Sequence, residues 1–182
     1  MKKSATLAGL LLTFSAQQSL ALNYNTYTDR SNFEAALMGQ SVEHFNDEST
    51  GSFTHQSFDG FSATNTNPGL VTTEVSPGSA GTNVNGSNFL RYESDDFGNP
   101  MTLDCDNAVG AVGFDWRNTD GSNDQAQLRV SVDGEEFSIG GPGSCFFGIV
   151  ATHGTFNRVE IEDTHDEGGV LDALGIVNLT LG

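Results

Sequence analysis

Asp115, Asp120, Asn123 and Asp124 fall within one ten-residue span of the stretch Gly113-Phe-Asp-Trp-Arg-Asn-Thr-Asp-Gly-Ser-Asn-Asp124. Carboxylate and amide oxygens at this density, with Gly121 suited to a tight turn, are the hard ligands that calcium gathers in sets of six to eight. The spacing does not follow the EF-hand register. Short Asp/Asn-Gly runs also make ordinary turns. The stretch therefore has two readings, a Ca2+ site or a polar turn after a strand. A second cation candidate joins Asp172, entering the last strand, to Asp47 in an early segment that a sandwich fold can bring alongside.

Cys105 and Cys145 are the only cysteines. In an oxidising compartment they are expected to pair as one disulfide. The loop they close would make the bond worth about 4 kcal/mol in a chain-entropy treatment.

Known catalytic patterns are missing. There is no G-x-S-x-G nucleophile turn and no H-E-x-x-H zinc helix. His44, His55, His153 and His165 are scattered, and only His165 lies among acids, in Glu160-Ile-Glu-Asp-Thr-His-Asp-Glu167. The expectation is a protein without a catalytic site. An acid pair of the glycosidase kind remains the alternative, because so many carboxylates make chance pairs.

The elements that must position these residues are mostly strands. Met101, Leu103 and Cys105 alternate with Thr102, Asp104 and Asp106, and Val112, Phe114 and Trp116 alternate with Ala111, Gly113 and Asp115. Ala126, Leu128, Val130 and Val132 form the clearest run, and Asp133-Gly134 then signals a two-residue type I′ hairpin into Phe137 and Ile139. Cys145–Ala151 is apolar on both faces, as a central strand is. Val159 and Ile161 oppose Arg158, Glu160 and Glu162, and Val177, Leu179 and Leu181 close the set. Weaker runs lie at 58–63, 70–75 and 89–92. One helix is expected: Ser31 and Glu34 fit a capping box, Phe33–Met38 follows, and Gly39 ends it. Nine or ten strands at hairpin spacing, with no alternating helices, predict an all-β, antiparallel jelly-roll-like β-sandwich with one short N-terminal helix.

The ends and the charge bound the setting. Lys2 and Lys3, an apolar run over 5–14 and Ser19-Leu20-Ala21 have the layout of a secretory signal peptide over 1–21, leaving a single β-sandwich domain over 22–182. The apolar run is shorter than the ~20 residues a spanning helix needs. Both lysines of the chain lie in that leader, so the remainder carries five arginines against 24 acids, a formal charge of −19. Such a surface repels nucleic acid and anionic lipid. A secreted, extracellular protein is expected, with the periplasm as transit or alternative, no nucleic-acid partner and no membrane span in the mature chain.

The order of these motifs resembles a known family. Thr28–Leu37, Glu43-His-Phe45, Val109-Gly-Ala-Val-Gly-Phe-Asp-Trp116, Leu128-Arg-Val-Ser-Val-Asp-Gly134, Phe146-Phe-Gly-Ile149 and Leu171-Asp-Ala-Leu174 together are similar to the secreted sandwich domains of bacterial PEP-CTERM (exosortase-associated) proteins. The likeness spans nearly the whole mature chain. It departs at the C-terminal end, where the Pro-Glu-Pro signal, membrane helix and basic tail of that family are not found, so free release is expected rather than surface sorting. The resemblance implies an envelope or extracellular-matrix setting in a Gram-negative bacterium and no defined reaction. The functional expectation is adhesion or glycan binding to an extracellular glycan or matrix protein. The alternatives are a polysaccharide-degrading enzyme and a self-assembling structural subunit of the matrix.

Overall fold

In a computed structural model the chain is described over residues 23–65, 71–76, 85–94, 99–118, 126–141, 144–164 and 172–182. Residues 1–22, including the expected signal peptide over 1–21, residues 119–125 and residues 165–171 lie outside the described residues.

The two-residue periodicity turns an apolar face of most strands inward, and two sheets close over these faces. One contains β1 (Tyr24–Tyr27), β12 (Ser144–Ala151), β9 (Ala111–Asn118), β14 (Asp172–Leu181), β7 (Phe89–Ser94), β6 (Val71–Ser76) and β3 (Gly51–Phe53) in that order, with β2 (Ser41–Glu43) also paired to β14. The other runs β11 (Glu135–Gly141), β10 (Ala126–Val132), β13 (Phe156–Asp163), β8 (Met101–Val109), β5 (Phe61–Asn65) and β4 (His55–Phe58). Neighbouring strands are antiparallel throughout. The sheets face each other with β12 over β11, β14 over β13 and β6 over β5. The protein is an antiparallel β-sandwich with one short helix.

The core follows the alternation. Leu103, Val112, Phe114, Trp116, Leu128, Val130, Val159 and Ile161 are all buried in one cluster. At the β10–β11 turn Asp133 and Gly134 take φ of 49° and 82°, and Val132 pairs with Glu135 across it. Both turn residues sit in the left-handed region that a type I′ hairpin requires.

Three expectations are corrected. The helix α1 (Arg30–Ala35) is capped by Asp29, not Ser31: the Asp29 carboxylate accepts from the Asn32 N–H at 2.9 Å and from Ser31 Oγ at 2.6 Å. Those two bonds hold the Asp29 carboxyl below its ordinary pKa, the Ser31 hydroxyl contributing most. Glu34 bonds Arg30 at 3.3 Å rather than reaching back to a cap N–H. On β14 the core-facing set is Leu174, Ile176, Leu179 and Leu181. Asn178, at φ 51°, breaks the alternation between them, and Val177 is buried on the opposite face. Fourteen strands are found among the described residues, because β1 to β4 are each three or four residues long, too short for a periodic signal.

The Cys105–Cys145 disulfide is also not formed. Cys105 lies on β8, opposite Phe61 of β5, and Cys145 lies on β12, opposite Trp116 of β9. The two strands belong to different sheets and are displaced sideways, since β12 faces β11 while β8 lies inward of β13. The two-face apolarity of β12 has another cause. Its inner residues Phe147 and Ile149 join the core, and its outer residue Phe146 joins Phe33 and Ala111 under α1.

Candidate binding face

Asp115 points outward from β9, as the alternation requires, and is held there by two partners. Arg30 Nε and Nη2 bond its two oxygens at 3.3 and 3.0 Å, and Asn178 Nδ2 donates to Oδ2 at 2.7 Å. Arg30 also reaches the Asn178 carbonyl at 3.0 Å and Thr180 Oγ1 at 3.1 Å, with its guanidinium 4.8 Å from the centre of the Phe146 ring. Asn178 Oδ1 in turn meets His44 Nδ1 at 2.8 Å. A paired fork-to-carboxylate contact of this kind fixes geometry as well as charge. Asp115 therefore anchors α1 to the sheet.

The other expected cation ligands are not gathered with it. Asp120, Asn123 and Asp124 lie outside the described residues. Asp47 is exposed in the loop after β2, and Asp172 opens β14 opposite Ser94 of β7. Among the described residues no group of three or more His, Cys, Asp or Glu side chains is placed to hold a metal ion.

The opposite side of the molecule offers a different arrangement. On the outer face of the β11–β4 sheet, Glu136, Ser131, Glu160, Thr102, Thr64 and His55 stand in register across all six strands, with Thr102 at the middle of the row buried. A second row, Arg158, Asp104, Ser62 and Ser57, runs beside it over four. At ~4.8 Å between strands the longer row extends about 24 Å. No helix covers this face among the described residues, in contrast to the α1 side. At its β10–β13 end Ser131, Asp133, Gly134, Glu136, Arg158 and Glu160 line an open cleft of about 220 Å³.

Ion pairs on the same face flank the cleft. Arg158 Nε bonds Asp104 at 2.8 Å. Arg129 bonds the buried Glu162 through Nε at 3.0 Å and through Nη2, and approaches Glu136 at 3.6 Å. These bonds hold both guanidiniums above their ordinary pKa, Glu162 and Asp104 respectively being the main cause. The hairpin turn places Asp133 at the rim. The sequence signals for this site were the Asp133-Gly134 turn and the alternation of Arg158, Glu160 and Glu162. What could not be read was which strands lie between β10 and β4.

No protein-family model and no curated protein sequence matches the chain. Among solved structures, it is similar to the K2 cleaved adhesin domain of Lys-gingipain at 12% identity, over 79% of this chain and 99% of that one, with a TM-score of 0.53. A family 29 carbohydrate binding module also aligns at 12% identity, over 79% of this chain and 87% of that one, with a TM-score of 0.41. The first likeness is one of sandwich fold. No helix among the described residues is long and apolar enough to cross a membrane.

Proposed function

We propose that this is an exported, non-catalytic sandwich module that binds glycan on the outer face of the β11–β4 sheet, in adhesion or in the extracellular matrix. The observation that carries the reading is the cleft of Ser131, Asp133, Glu136, Arg158 and Glu160, opening onto a row of hydroxyl, carboxylate and imidazole groups. Sugar hydroxyls both donate and accept hydrogen bonds. Carboxylates accept from them, a guanidinium donates to them, and Ser or Thr does either. Side chains already fixed by neighbours lose little entropy on binding. The fold shared with an adhesin domain is in keeping with this role.

A broad glycan panel, screened with and without calcium, tests the proposal. Binding that is lost in Arg158→Ala with Glu160→Gln, while the thermal transition stays cooperative, is the expected result. Hydrolysis of any panel member would replace this reading with the polysaccharide-degrading one.

A further inference from the structure

Residues 24–35 form an arm, β1 at the edge of the larger sheet followed by α1 on its outer face, and Leu37 lies just beyond it. β1 pairs with β12 through Tyr24–Ala151 to Tyr27–Gly148. Phe33 then sits over β9 and β12, where a Cβ on Gly113 or Gly148 would lie 2.7 or 2.6 Å from its ring. Arg30 grips Asp115, Thr180 and the Asn178 carbonyl, and Leu37 lies against Gly182. Each of these contacts joins the arm to residues beyond 110. The arm could occupy the same seat on a second copy of the chain with only its link to β2, residues 36–40, rearranged.

That link is at odds with its own sequence. Ala36, Leu37 and Met38 are among the strongest helix formers, and they continue the α1 run. Yet the helix stops at Ala35, and its end is closed by short i→i+3 bonds, Ala36 N to Phe33 O at 2.9 Å and Leu37 N to Glu34 O at 3.1 Å. Met38 in the link is fully exposed, the one large hydrophobic side chain so placed among the described residues. A local preference that opposes the fold's demand is a frustrated element. Reaching to a neighbour would let the link straighten into a longer helix, with Leu37 still on the face of Phe33 four residues on.

We propose that the protein forms a dimer by exchanging this N-terminal arm, its partner being a second copy of the same chain. Exchange is a low-cost route to a dimer because it reuses contacts the monomer already makes. Gly39 has open space where a Cβ would stand, so Gly39→Ala fits the monomer and favours the helical link. The decisive variant carries Asn25→Cys and Val150→Cys, which face each other across β1 and β12, with Cys105→Ala and Cys145→Ala to leave no other thiol. The dimer fraction from size-exclusion chromatography is oxidised and run on a non-reducing denaturing gel. Exchange gives a covalent dimer. Dimers that run as internally crosslinked monomers, or a protein that stays monomeric at millimolar concentration, overturn the proposal. Gly39→Ala should raise the dimer share about fivefold and Met38→Gly should lower it by a similar factor. No change in the Gly39→Ala protein also overturns it.

Discussion

Gly113 and Gly148 face each other across β9 and β12, and the Phe33 ring fills the space their missing side chains leave. Phe146 closes the same pocket, its ring centroid 5.3 Å from that of Phe33. A two-turn helix has too few hydrogen bonds to persist alone. This glycine-floored socket and the Arg30–Asp115 contact are what hold α1 in place.

Enlarging the socket floor should therefore loosen the helix. Gly148→Ala puts a methyl 2.6 Å from the Phe33 ring and is expected to destabilise by about 1–3 kcal/mol, as overpacking does. Phe33→Ala should cost about 3–5 kcal/mol. If ring and glycine form one unit, the double variant costs less than the sum of the two, a coupling that urea denaturation of all four proteins measures. Additive losses would show that the two do not act together.

Arg30→Ala leaves the Asp115 carboxylate with Asn178 alone on a half-covered face. A loss of about 2 kcal/mol is expected, below the range for fully buried pairs because both side chains keep some solvent. Thermal unfolding should fall by about 4–8 °C. Arg30→Lys keeps the charge but not the two-pronged contact, and should recover less than half of the loss.

Two half-buried acids, Tyr24 and Cys105, shape the alkaline limb of stability. Burial, with Asp133 and Glu135 adding to it, pushes the Tyr24 phenol from 10.0 up to about 12. Burial, with Asp104 and Asp106, pushes the Cys105 thiol from 9.0 up to about 11. Above pH 9 to 10 the unfolded chain releases these protons while the folded chain keeps them, so stability falls as pH rises through 9 to 12. Tyr24→Phe should flatten the upper part of that fall in a pH series of chemical denaturation. Cys105 should resist alkylation at pH 8 in the folded protein and react at once on unfolding, since the thiolate is the nucleophile.

Calcium remains a proposal that solution work can decide. With Asp115 held by Arg30 and Asn178, Asp120 and Asp124 carry the expectation. Millimolar calcium should raise the unfolding temperature by more than sodium chloride of equal ionic strength. Asp120→Asn with Asp124→Asn should remove that excess. A response retained by the double variant would move the site toward Asp172 and Asp47, and equal effects of the two salts would leave the stretch a polar turn.

The sandwich was legible from Met101 onward, where the strands are seven or more residues long and the Asp133-Gly134 turn fixed a register. It was obscure where a strand was too short to repeat, as at Ser41–Glu43, and where one residue reset the phase, as at Asn178. The cap was misread because Ser31 and Asp29 both suit that position, and the carboxylate, which can accept from both Ser31 and the backbone, took it. The disulfide expectation failed for a different reason. Local pattern says which side chains point inward, but not which strands lie opposite across the core. The same gap hid the binding face, whose long row depends on β8 and β5 lying between β13 and β4.

β14 joins the two halves of the larger sheet: β9 on one side, β7 and then β2 on the other. It follows every other described strand in the chain. Until those residues are available, β9 and β7 have no neighbour to connect them, and the sheet stays as two incomplete ribbons. Assembly then waits on a late, long-range pairing, which is slow compared with local hairpin closure. A chain built this way locks its larger sheet only when the keystone strand arrives.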